Sequence, residues 1–293
     1  ALVGYVNFQR EPSRMQLGLI AGALLLFLLF SSITFTIETD THPSAGFHAA
    51  RAWANATLVT LLLCGGIAAM HAEFSDIARR SIELRDALEN NQFELFYQPQ
   101  NDVNGRPVGA EALLRWRHPR RGYVSPAEFI PLAESNGSMP VIGAWVIREA
   151  CKTLARWQHS PSTRNLSLSI NITSEQFAQS NFVDELIEIT SAYSNKTSWL
   201  KLELTESAFL ADIDSVIEKM QALRSQGFTI SLDDFGTGYS SLSYLRRLPL
   251  TQLKIDRSFV REVDKSSRTS AIVRSIVQMG HDLSLEVLAE GVE

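Results

Sequence analysis

Two cysteines in 293 residues, Cys64 and Cys151, are too few for a disulfide framework. That excludes the small secreted scaffolds which depend on one. Both stand in apolar or helical surroundings and read as structural. Basic charge is also short: 27 Lys and Arg stand against 32 Asp and Glu, so the formal balance is −5. No nucleic-acid polymer is expected as a partner. Charged residues make up only 20% and apolar ones 45%, which rules out a disordered or collagen-like chain and leaves a globular one with a real core. The length predicts about two domains.

Charge is missing altogether from Met15 to Ile37. At ~1.5 Å per residue this run can cross a ~30 Å hydrocarbon core. It is too long for a signal peptide. Residues 52–70 form a second uncharged run, diluted by Asn55, two Thr and two Gly. Both read as transmembrane helices, so residues 1–70 form a membrane anchor in the lipid bilayer. Arg10 and Arg14 precede the first span, and Arg79, Arg80 and Arg85 follow the second. By the positive-inside rule the location is the inner (plasma) membrane, multi-pass, with everything after His71 cytoplasmic. Residues 71–91 read as a linker or signalling helix. Phe74, Ile77, Ser81, Leu84 and Leu88 form a short heptad-like stripe. It suits either a homodimeric coiled coil or one amphipathic helix packed on the next domain.

From Phe93 onward, short apolar segments alternate with helical patterns. Strands are expected at 93–98, 108–116, 166–171, 200–205, 228–233, 252–255 and 285–289. Helices are expected at 141–158, 181–191, 215–226 and 270–279. Pro126 suits the first turn of another helix, capped by Ser125. This alternation predicts an α/β fold with a mainly parallel sheet, one strand short of an eight-stranded β/α barrel. Only nine residues separate the first two strands, so the first is expected antiparallel to the second. The chain begins without Met and stops at Glu293 inside an element. It reads as truncated at both ends, with the closing strand missing.

Polar residues recur on or just after these strands. Glu111, Asn171, Glu203, Glu206, Asp233, Asp234, Lys254 and Glu290 come from six of them. In a β/α barrel the C-terminal strand ends share one face, where active sites are built. A single buried acid is more often a paired structural group. This many carboxylates brought together repel one another. A hard divalent cation resolves that repulsion, and Asp, Glu and Asn oxygens are the ligands Mg²⁺ or Mn²⁺ prefers. Adjacent Asp233 and Asp234 suit a pair of ions, a known device for in-line phosphoryl displacement. The residue types point to metal-assisted hydrolysis of a phosphate ester.

FYQP at 96–99, EALLRW at 111–116, SIN at 169–171, ELTES at 203–207, DDFGTGYSSL at 233–242, LKIDRSFV at 253–260 and AEGVE at 289–293 together resemble the EAL-domain family. The resemblance runs from about residue 82 to 293. It implies a TIM-like (β/α) barrel with an antiparallel first strand and cyclic di-GMP phosphodiesterase activity. The substrate is opened to linear pGpG with two Mg²⁺ or Mn²⁺ ions. Glu111, Asn171, Glu203, Asp233, Asp234 and Glu290 then correspond to metal-site residues. Lys254 is the catalytic residue beside the attacking water. Arg115 corresponds to a phosphate contact and Gln98 to a guanine contact. Glu206 corresponds to a residue that steadies the loop after Asp234. Because the pattern is intact, the resemblance implies an enzyme over the alternative, a catalytically silent c-di-GMP receptor. No GG-D/E-EF motif of a paired cyclase domain is present.

Overall fold

The structure, a computed structural model, describes residue 22 and residues 45–193, 196–209, 212–236, 245–264 and 266–292. The chain divides into two compact units, Ala1–Arg79 and Arg80–Glu293. A 45-residue helix, Ala45–Glu89, begins the continuous part.

Among the described residues no helix is long and apolar enough to cross a membrane. The expected second span at 52–70 is therefore corrected. Asn55, Thr57, Thr60, Gly65 and Gly66 dilute its apolar character, and the same helix runs on without a break into the charged segment 73–89. The two-span arrangement has no support there, and the expected first span at 15–37 lies outside the described residues. Cys64 is exposed, so of the two cysteines only Cys151 belongs to the core.

The second unit is built on one sheet. β1 (Phe93–Asn101) and β2 (Pro107–His118) form the expected antiparallel hairpin. β3 (Gly122–Val124), three residues long, adds to β2 and was not expected. Then β4 (Ser167–Ile172), β5 (Leu200–Thr205), β6 (Thr229–Phe235), β7 (Gln252–Ile255) and β8 (Glu286–Ala289) follow in parallel, in the order β1-β2-β4-β5-β6-β7-β8. Glu111 on β2 reaches Lys254 on β7, though three strands lie between them in the sheet. A flat sheet cannot bring those side chains together, so the sheet curls, as in a TIM-like barrel.

Helices cover its outer face. Met139–Gln158, Phe182–Ala192, Ile213–Ser225 and Ser267–Asp282 stand where helical periodicity predicts them, within a few residues at each end. Pro126 does open a helix, Pro126–Ser135, but the Ser125 side chain makes no capping bond. The missing amide of Pro126 already removes one orphan donor there.

Strand alternation decides which face is which. Leu168, Ile170 and Ile172, Leu200, Leu202 and Leu204, Ile230 and Leu232, and Leu253 and Ile255 are buried in the apolar core. Residues between them on the same strands, Ser169, Asn171, Lys201, Glu203, Ser231, Asp233, Gln252 and Lys254, face the other way. The inward face of β4 to β7 is thus polar along its length. At the floor Ser231 Oγ donates to Gln252 Oε1 (3.2 Å) and Gln252 Nε2 donates to Glu286 Oε2 (3.2 Å). Lys201 stands 3.6 Å from the same carboxylate oxygen. A typical β/α barrel fills this space with branched apolar side chains.

The helix end preceding β1 buries Leu84 and Ala87 in the same core. Of the expected stripe, Leu84 and Leu88 pack against this core.

Candidate active site

The site gathers at the C-terminal ends of the parallel strands around one cation. Lys254 Nζ, on β7 and only 1% exposed, lies 2.7 Å from Glu203 Oε2 and 2.7 Å from Glu290 Oε1. Asp233 Oδ1 is at 3.0 Å and Glu111 Oε2 at 3.5 Å. Asn171 Nδ2 donates to Glu111 Oε1 at 2.8 Å. Register explains the convergence, because Asn171 pairs with Glu203, and Thr205 with Asp233, on adjacent parallel strands.

Asp234 reaches the site by a different device. Between Leu232↔Leu253 and Phe235↔Ile255, β6 carries two residues where β7 carries only Lys254. This is a β-bulge. Without it, alternation would send Asp233 and Asp234 to opposite faces. With it, Asp234 takes φ = +54°, and its amide donates to Asp233 Oδ1 at 2.9 Å. The carboxylates of Asp233, Asp234 and Glu290 then offer oxygens within 4.8 Å of one another. Left-handed backbone at a non-glycine residue is uncommon, and Asp is among the side chains that tolerate it best.

Glu206 lies in a short 3₁₀ turn, Glu206–Phe209, just past β5. Its Oε1 accepts the Gly236 amide at 3.2 Å. Gly236 has φ = +99°, and a Cβ there would sit 3.0 Å from the Phe259 ring. Glu206 therefore holds the backbone where the strand leaves the bulge. Residues 237–244 of the loop that follows lie outside the described residues.

The electrostatics call for more positive charge than Lys254 supplies. Burial pushes the Glu203 carboxyl up to about 7, against the opposing pull of Lys254. Burial, then Asp233, raises Asp234. Burial also raises Glu290, partly offset by its bond to Lys254. Burial by itself would depress the Lys254 ammonium, but Glu203, Asp233 and Glu111 outweigh it and raise the pKa. The second oxygen of Glu203, Oε1, is buried with no hydrogen-bond partner among the described residues. An unsatisfied buried acceptor among several acids fits a hard divalent cation. Glu203, Asp233, Asp234, Glu290, Glu111 and Asn171 carry the oxygen donors such a cation prefers.

Gln98 and Arg115 stand on the inward face of the hairpin. Gln98 is the cross-strand partner of Glu111, and Arg115 lies two rungs further along the same face. The Arg115 guanidinium lies over the Phe96 ring, 5.6 Å from its centroid. Two features escaped the sequence: the bulge that re-aims Asp234, and Glu94, which shares the inward face with Gln98. Counting back by twos along β1 from Gln98 would have found Glu94.

A family model described as EAL domain matches residues 82–293. The bifunctional diguanylate cyclase/cyclic di-GMP phosphodiesterase MucR of Pseudomonas aeruginosa is 44% identical over 212 residues, covering 72% of this chain and 31% of that protein. The cyclic di-GMP phosphodiesterase NbdA of the same organism is 43% identical over 212 residues, covering 72% of this chain and 27% of that protein. The chain thus spans about a third or less of the length of these relatives. A solved structure of the PaMucR phosphodiesterase in complex with c-di-GMP superposes with a TM-score of 0.70 at 43% identity, covering 73% of this chain and 87% of that one.

Proposed function

The chain belongs to the EAL-domain family, and from that premise we propose that it is a cyclic di-GMP phosphodiesterase which hydrolyses its substrate to linear pGpG. The observation that carries the reading is the cluster itself. Glu111, Glu203, Asp233 and Glu290 converge on the buried Lys254 while Asp233, Asp234 and Glu290 stay close enough to share a cation. The relatives named for this activity support it.

Mg²⁺ or Mn²⁺, when bound by Glu111, Asn171, Glu203, Asp233, Asp234 and Glu290, supplies Lewis acidity and offsets the negative field that would repel a phosphodiester. The rest falls to the chain's own side chains. Lys254, held from four sides, keeps its proton and orients the attacking water by hydrogen bonding. Its charge also stabilises the negative charge that develops at the phosphorus oxygens. Arg115 binds a substrate phosphate, and Gln98 contacts a guanine. Water attacks one phosphodiester in line, and a ribose 3′ oxygen leaves with a proton.

The test is turnover of cyclic di-GMP by the full chain with Mg²⁺, followed by chromatography of the nucleotides. Accumulation of pGpG is expected. Tight binding without pGpG would overturn the hydrolase reading.

A further inference from the structure

β1 lies at one end of the sheet order, and its inward face carries Glu94, Phe96 and Gln98 opposite Arg115, Leu113 and Glu111. Glu111 belongs to the acidic cluster. Arg115 and Glu94 lie four residues further toward the mouth, roughly 14 Å along the strand. At this level the Phe96 ring is 43% exposed, and Tyr123 packs edge-on against it with centroids 5.5 Å apart. Arg115 lies over the same ring and donates from Nη1 to its own Leu114 carbonyl. Beside them, Glu94 Oε1 is buried without a hydrogen-bond partner among the described residues. Hydrogen bonding to Glu94 raises the pKa of the Tyr123 hydroxyl, with desolvation adding to the shift.

A part-exposed aromatic ring next to a carboxylate with an unpaired oxygen, on the hairpin that carries Glu111, is suited to a base. We propose that Glu94 reads the Watson–Crick edge of a substrate guanine while Phe96 stacks on its face, so that base specificity is set by these two residues of β1. The proposal rests on the cyclic di-GMP reading above. Guanine presents N1–H and the N2 amino group as adjacent donors, and an ionised carboxylate is an acceptor with two oxygens to meet them. Adenine presents no such pair, and hypoxanthine lacks the amino group. In the structure the Tyr123 side chain stands beside Glu94 and Phe96. The base displaces it and fills both acceptor positions. Tyr123 is 57% exposed, so its ring has room to swing away. Stacking on Phe96 adds affinity that does not depend on which purine is present.

The experiment compares cyclic di-GMP with its inosine analogue, cyclic di-IMP, as substrates for the full chain with Mg²⁺. The readout is the ratio of kcat/KM values. Wild type should prefer the guanine dinucleotide by roughly 10- to 100-fold, the discrimination expected of a good bidentate contact. Glu94→Gln should collapse that preference to a few-fold. Phe96→Leu should weaken both substrates by a similar factor and leave the ratio intact. Should Glu94→Gln fail to fold, Glu94→Asp, which keeps the charge but shortens the reach, decides by the same ratio. A wild-type ratio in the folded Glu94 variant overturns the proposal. If wild type turns over neither substrate, the hydrolase reading fails on its own. Binding of the same two dinucleotides then decides the role of Glu94, with equal affinities for wild type counting against it.

Discussion

Lys254→Met is the most informative single substitution, because it replaces a buried cation with a side chain of similar length. Lys254 is 1% exposed, and four carboxylates stand within 2.7–3.5 Å of its ammonium. Removing one partner of a buried ion pair leaves the other charge uncompensated, at about 3–5 kcal/mol. Here Glu203 is equally buried and loses the Lys254 donor to Oε2. Against a total stability of about 5–15 kcal/mol this is a large fraction. For a domain of this size each kcal/mol moves Tm by about 2–4 °C, so metal-free Lys254→Met should melt roughly 6–20 °C below wild type. Added Mg²⁺ should raise the variant's Tm more than the wild type's, because the cation takes over the role of neutralising the acids. Turnover should fall by orders of magnitude even with saturating Mg²⁺, while binding of the dinucleotide largely survives. Thermal unfolding in EDTA and in Mg²⁺, together with single-turnover hydrolysis, measures all of these. A metal-free Tm within about 2 °C of wild type would refute the electrostatic reasoning. A near wild-type kcat would refute the assigned role in water orientation.

Chelation should abolish hydrolysis, and Mg²⁺ or Mn²⁺ should restore it. Ca²⁺ should support little turnover because it takes longer, looser bonds, and full activity in excess EDTA would remove the metal from the mechanism. Glu206→Ala deletes the acceptor of the Gly236 amide. Titration should show weaker Mg²⁺ binding, with a Tm change of a few degrees at most. Unchanged Mg²⁺ affinity would remove Glu206 from any support of the metal site. Gly236→Ala forces a side chain into left-handed backbone, 3.0 Å from the Phe259 ring. It should shift Asp234 and lower kcat at least tenfold, a loss of about 1.4 kcal/mol in transition-state stabilisation. Trp116→Ala removes a 1%-exposed ring that packs on Phe93 and Phe129. The expected loss of about 3–5 kcal/mol should appear in denaturant unfolding as a lower midpoint.

Local physical chemistry makes much of this protein legible in its sequence. Short apolar segments alternating with helical periods dictate strands and helices, and the nine-residue connection dictates an antiparallel start. The residue types at the strand ends identify the chemistry, since carboxylates, an amide and a lysine have few other uses together. Period-2 alternation within LKLELT and LSLSIN already separates a core face from a polar one. Other features depend on contacts between residues far apart in the chain. Residues 52–70 are uncharged, yet they are the middle of a longer helix, and the extent of that helix is not written in the run itself. Asp233 and Asp234 are adjacent, so strand alternation alone would place them on opposite faces. Only the pairing of β6 with β7 creates the bulge that turns both toward the site. The choice of Lys254 as hub also depends on curling, which brings β2 across to β7. Glu94 is an unremarkable strand acid until its register with Arg115 and its unsatisfied oxygen are known. Composition and spacing determine which elements form and which side chains carry the chemistry. Curvature and register are cooperative properties of the whole sheet, and they determine which side chains meet.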